Sequence, residues 1–223
     1  MKVLGGFSIC RAGGEAQAVP AGAPGLLVAR LALAEDLSCT RDELVADLYP
    51  NDSPEVARPR LRVLQSRARA LFGTDAPIEA DRSAIWLDER RTEVDLRRLR
   101  QLLRRIAQED NPAGAIHAYI EPLLPSLVEP WVVNARRALN RRLIEFAMSC
   151  EGEDAIRTLT RARRLEPLSE DLVCRLLEVQ IRQGDAVGAL ALVEEFRRTW
   201  QAEVGLPLAT AIESLKNRAQ TTA

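Results

Sequence analysis

The stretch Ala57–Gly73 restricts what this chain can fold into more than any other. It carries five arginines and no acid. Leu61, Leu64, Ala68 and Leu71 recur at helical spacing, so one side of a helix can be apolar. Arg58, Arg62, Gln65 and Arg69 fall on another face, and Gly73 stands where a helix C-cap glycine belongs. A helix docked by one side and presenting guanidinium groups on the other has the chemistry of a phosphate and base reader. A solvated surface helix has the same pattern, so the neighbouring segments must decide between the two.

Those neighbours predict a helix–turn–helix. Pro24 to Glu35 reads as a helix apolar nearly all round, hence largely buried. Thr40-Arg41-Asp42-Glu43-Leu44 is a helix start, with Thr40 as N-cap and Glu43 as the reciprocal capping partner. That helix runs to Tyr49 and ends at Pro50. Ser53 is a candidate cap, and Pro54 suits the first position of the arginine-rich helix. Pro59 lies in the first turn of that helix or kinks it. Beyond Gly73, Pro77–Ala80 and Ser83–Leu87 flank Asp81-Arg82 and read as a β-hairpin. Ahead of everything, Val3–Cys10 suits a strand, Ala12–Glu15 a turn and Ala16–Pro20 a return strand. A basic second helix followed by a hairpin is the arrangement that lays one helix in the major groove beside a wing.

Charge narrows the reading. Net charge is −1, and residues 1–92 hold 12 basic and 13 acidic side chains. Any affinity for nucleic acid must therefore come from a local patch. The cysteines at 10, 39, 150 and 174 have neither metal-ligand nor redox spacing, and His117 is the sole histidine. A zinc site, a nucleophile–base pair and a phosphate loop all lack their residues, so the expectation is a non-enzyme without cofactor. No stretch suits a membrane span or a signal peptide, which predicts a soluble cytoplasmic protein.

The second half is charged, Leu/Ala-rich and helical. Leu99, Leu102, Leu103 and Ile106 form a stripe from Thr92 onward, and Asn111-Pro112 breaks it. Ala113–Ile120 reads as a short helix and Trp131–Cys150 as a longer one. Ala155-Ile156 with Leu159 recurs 34 residues later as Ala189-Leu190 with Val193, each copy preceded by a glycine and an acid. A period of 34 with small residues at the helix contact resembles the tetratricopeptide pattern. These are first of all packing positions, whose functional content is a groove between stacked helix pairs.

The residues together resemble a known family. Thr40-Arg41-Asp42-Glu43-Leu44 and the closing run Ser66-Arg67-Ala68-Arg69-Ala70-Leu71-Phe72-Gly73 are similar to the OmpR-type winged helix of the bacterial antibiotic-regulatory activators, the SARP family with the AfsR-like regulators. Glu129-Pro130-Trp131 with Arg136 and Leu139, then Leu165–Glu170, then Ala202–Leu208, resemble landmarks of the activator domain that follows it. The tip Asp81–Ala84 and Glu79 depart from that family's glycine-tipped wing, and Trp86 takes a position usually polar.

The resemblance implies a mainly α chain: an α+β winged helix–turn–helix over residues 1–92, then an all-α TPR-like activator domain over 93–223, the short form or a piece of that size. It implies a transcriptional activator bound to double-stranded DNA, two copies sitting on direct repeats as a homodimer or pair and contacting RNA polymerase holoenzyme, with no membrane role. The expected DNA face is Arg58, Arg62, Gln65 and Arg69, with Gln65 or an arginine reading base edges. Ser66, Arg67 and, on the wing, Arg82 extend it, while Thr40 and Arg41 touch the backbone from a helix N-terminus. Arg60 and Arg67 suit phosphate contacts or salt bridges. The acidic wing, near-neutral first domain and Trp86 keep a second reading open: an interaction adaptor with a winged helix that no longer binds DNA.

Overall fold

The computed structural model describes residues 1–10, 14–105 and 116–222. The chain is mainly helical with two small sheets, and it divides into two compact units, Met1–Ala107 with Pro122–Arg137 and Gln108–Glu121 with Ala138–Ala223.

In the first unit the N-terminal strand is shorter than expected. Gly5, at a φ of 70°, lets the chain fold back on itself, so Lys2 and Ser8 bond each other at 2.9 and 3.0 Å. Ser8–Cys10 (β1) and Ala16–Ala18 (β2) pair as antiparallel strands. The turn residues between them lie partly outside the described residues.

Helix α1 (Ala23–Leu33) is buried nearly all round, as its composition demands. It stops short of Glu35 because Ala34 turns extended and Leu37 takes a φ of 58°. A left-handed leucine costs roughly 1–2 kcal/mol. Complete burial of its side chain, about 1.5–3 kcal/mol, offsets that. Gly25 is required at the start of α1: a Cβ there would stand 2.2 Å from the Pro20 carbonyl oxygen.

Strand β3 (Ser38–Thr40) leads directly into α2 (Arg41–Leu48). The capping box is present: the Glu43 amide donates to Thr40 Oγ1 at 3.2 Å, and the Thr40 amide donates to the Glu43 carboxylate at 2.8 Å. The Thr40 hydroxyl and amide hold the Glu43 carboxyl below its usual range. A depressed carboxyl stabilises the fold above its ordinary titration range and loses that contribution as pH falls through the lowered value. Thr40→Ala should therefore cost about 1 kcal/mol near pH 7, and the gap to wild type should narrow below about pH 4. Urea melts across pH would show it; a gap constant down to pH 3 would contradict the assignment.

Helix α3 (Pro54–Ala70) opens with Pro54, and Pro59 sits in its second turn, where it removes one backbone bond. Ser53 occupies the N-cap position, but its side chain makes no cap bond and engages Glu55 instead. Gly73 does not cap α3: Leu71 does, and Gly73, at a φ of 79°, starts a 3-10 turn to Asp75. The expected hairpin forms as β4 (Ile78–Ala80) and β5 (Ala84–Leu87). β3 joins it on the other side of β5, an antiparallel sheet ordered β3-β5-β4 with Cys39 opposite Ile85.

Helix α4 (Asp95–Arg105) begins just past the boundary expected after residue 92, yet it is fastened to the first unit. The Asp95 carboxylate accepts from the amides of Val3 and Leu4 at 3.0–3.1 Å, and Arg100 donates to the Leu33 carbonyl at 2.9 Å. Leu96 and Leu99 carry the buried stripe; Leu102 and Leu103 are half-buried and Ile106 lies outside the described residues. So do Asn111-Pro112 and the first three residues of the short helix expected over 113–120, of which His117–Tyr119 is a 3-10 turn.

The long helix α5 (Pro130–Ser149) contributes to both units. In the second unit α6 (Glu153–Ala162), α7 (Glu170–Arg182), α8 (Ala186–Glu203) and α9 (Thr210–Thr222) pack in succession, α9 also against α7. Ala155, Leu159, Ala189 and Val193, the repeated positions, are all fully buried. Gly152 and Gly184, at φ of 71° and 78°, begin the reversals into α6 and α8.

Candidate nucleic-acid interface

Ala57, Leu61, Leu64 and Ala68 form the buried row of α3, which packs on α1 and α2. Three of these were expected; Ala57 was not, and Leu71 is only half-buried. Ala57 falls in the middle of the expected apolar row and leaves the helix phase unchanged. At 3.6 residues per turn, the direction opposite that row is centred on Pro59 and Ser66, with Arg62 on one flank and Val63 on the other.

The packing of α3 sorts the expected site residues. Arg62, Ser66 and Arg67 are exposed, and neither arginine makes an ion pair or hydrogen bond among the described residues. Arg58 is exposed and pairs with Asp42 at 3.2 Å. Gln65 is half-buried at the edge of the packed side. Arg69 turns towards the hairpin: its Nε donates to the Ile78 carbonyl at 2.9 Å and it stands 3.9 Å from Glu79. Arg60 pairs with Asp52 and lies over the Tyr49 ring, 4.9 Å from its centroid. Such a contact offsets little of the arginine's charge but fixes its direction.

At the N-terminus of α2 both expected contact residues have partners within the protein. Thr40 is committed to its cap. Arg41 donates from Nε and Nη2 to the Asp81 carbonyl at 3.0 and 2.8 Å, so it ties α2 to the hairpin tip. The tip's acidity has a local cause. The Asp81 carboxylate accepts from the Ala84 amide, the Ser83 hydroxyl and the Ser83 amide at 2.7–2.8 Å. These bonds hold its carboxyl below the usual range, with the Ala84 amide contributing most. Asp81 is a turn former. Glu79 faces both Arg69 and Arg91. Within the hairpin tip, Arg82 is the exposed cation, without hydrogen bond or ion pair among the described residues.

Burial pushes the Cys39 thiol up to about 11, which keeps it neutral. His117 uses its carbonyl to accept from Arg161 at 3.2 Å. Among the described residues no group of three His, Cys, Asp or Glu side chains is placed to hold a metal ion. No described helix is long and apolar enough to cross a membrane.

Sequence reasoning missed Val56 and Val63, exposed at 52% and 54% on the outward side of α3. The signal was in the apolar row itself: the direction opposite Leu61, Leu64 and Ala68 passes between Arg62 and Val63.

Comparison with known proteins adds the family. The chain is similar in fold to Mycobacterium tuberculosis EmbR, solved in complex with a low affinity phosphopeptide: TM-score 0.59 at 17% identity, over 99% of this chain and 64% of that one. At that identity the likeness speaks for the fold alone, and this chain spans 64% of the EmbR chain's length. No curated protein sequence matches. The family model of the bacterial transcriptional activator domain matches residues 94–220, more than half of the chain. The chain therefore belongs to the bacterial transcriptional activator domain family.

Proposed function

We propose that this transcriptional regulator is an activator of the SARP type. Its first unit is a winged helix–turn–helix bound to double-stranded DNA, with α3 in the major groove and the β4–β5 hairpin as wing. Its second unit is a TPR-like domain through which RNA polymerase is recruited, and two copies sit side by side on direct repeats. The observation that carries the reading is the outward side of α3. Arg62 and Arg67 project from it, exposed and without ion pairs among the described residues, in a chain whose other half belongs to an activator family. Revised contact residues are Arg62, Ser66, Arg67 and Arg58 on α3, with Arg82 on the wing. Arg41, Thr40 and Arg69 position those elements.

Arg62→Glu/Arg67→Glu should lower affinity for every duplex at least tenfold. It should also reduce the dependence of log K on log salt by about two, close to 0.9 for each phosphate that is no longer neutralised. Fluorescence anisotropy on selected and random duplexes at two salt concentrations measures both. A specific observation favours a second reading: Arg58, Arg60 and Arg69 are neutralised by Asp42, Asp52 and Glu79. If the double variant binds DNA as wild type does, with the same salt slope, α3 is not the DNA contact; if wild type itself shows no salt-dependent affinity for duplex DNA, the unit is an interaction adaptor.

A further inference from the structure

We infer that α3 reads thymine 5-methyl groups through an apolar ridge, with Val63 as its central contact. The inference rests on the reading of α3 as a major-groove helix.

Val56, Pro59, Val63 and Ala70 are all exposed, and their spacing lines them up along the outward side of α3. From Val56 to Ala70 the helix carries no acidic side chain. Arg62 stands on one side of the ridge and Arg67 on the other, both without ion pairs among the described residues, while Arg58 and Arg60 beside them are paired with Asp42 and Asp52. An apolar ridge between two unpaired guanidinium groups is a specific shape. It fits a surface that is anionic at both margins and apolar on its floor. The major groove has that cross-section: phosphates form its walls, and the thymine methyl is the apolar group its floor presents. Its width of about 12 Å also matches a helix of about 10–12 Å diameter. An acidic protein surface would satisfy the arginines but would leave the valines facing polar groups. An apolar surface would cover the valines at the cost of desolvating unpaired guanidinium groups. Val63 is the central contact because Pro59 and Ala70 are smaller or more rigid, and Val56 lies in the first turn.

The test uses the full chain. Duplexes are first selected from a random pool at two salt concentrations. Each thymine of the recovered operator is then replaced by deoxyuridine, which removes the methyl and keeps every hydrogen-bonding group. With wild type, at least one position facing α3 should lose about fourfold in affinity, the effect of one methyl-sized group. With Val63→Ala the same replacement should change nothing, because the valine that met the methyl is already absent. Alanine is a better helix former than valine, so the variant keeps its fold, and circular dichroism checks this.

Uridine tolerated everywhere, or equal losses in wild type and Val63→Ala, would overturn the ridge while leaving DNA binding by α3 in place. Failure of any duplex to be enriched would remove the DNA reading and the ridge with it. Self-association of DNA-free wild type that Val63→Ala abolishes would make the ridge a protein contact and overturn the inference.

Discussion

Arg136→Ala is expected to destabilise the first unit by about 3–5 kcal/mol, more than any surface substitution in the chain. The Arg136 guanidinium donates to three main-chain carbonyls, those of Leu123 at 2.7 Å, Leu124 at 2.5 Å and Leu127 at 2.7 Å. All three leucines are buried, so water does not readily replace the lost donor. Each orphaned carbonyl costs roughly 1–3 kcal/mol. The segment is also held against its own preference, since Leu124 has a φ of 42°. It holds the N-terminus in turn. The Leu124 amide donates to the Val3 carbonyl at 2.8 Å, and the Gly5 amide to that of Pro122 at 2.8 Å. Loosening residues 122–127 therefore frees the start of the chain as well. Arg136→Lys should recover only part of the loss, because one ammonium cannot span three carbonyls in the plane a guanidinium reaches. Urea unfolding followed by tryptophan fluorescence measures it. A loss below about 1 kcal/mol would mean that those carbonyls have other partners.

Leu61→Ala is expected to cost about 2–5 kcal/mol. Leu61 is 1% exposed in the middle of the buried row of α3, opposite a helix that is itself buried nearly all round. A packed interior of that kind collapses little around a cavity. Two positions further on, Val63→Ala should leave stability within about 0.5 kcal/mol of wild type, since that side chain faces solvent. The pair of values measures the rotational phase of α3. Comparable losses at both positions would mean that the helix is turned, and the outward residues assigned above would change with it.

The features legible before folding were those written within a few residues of one another. The Thr40–Glu43 capping box joins positions three apart, and the β4–β5 hairpin needs only a short turn at Asp81. The repeated alanines of α6 and α8 were visible because close helix contacts tolerate only small side chains. Three-residue β3 was not legible: Ser38–Thr40 becomes a strand because β5 lies beside it. Val3–Cys10 alternated like a strand, but Gly5 folded it into a turn before it could extend. Arg136 could be marked as a family landmark, but the three carbonyls it holds lie 9–13 residues away.

The arginine-rich stretch shows the division best. Its composition by itself determined that a helix would form there, apolar on one side and cationic on the other, because helical periodicity is a local property of the chain. Which cations face outward was decided by the tertiary structure alone. Ala57, Leu61, Leu64 and Ala68 were buried against α1 and α2. Asp42, Asp52 and the Ile78 carbonyl then claimed Arg58, Arg60 and Arg69, leaving Arg62, Arg67 and a ridge of valine to the solvent. A guanidinium binds whichever acceptor folding brings within reach, and that proximity is written in no single segment.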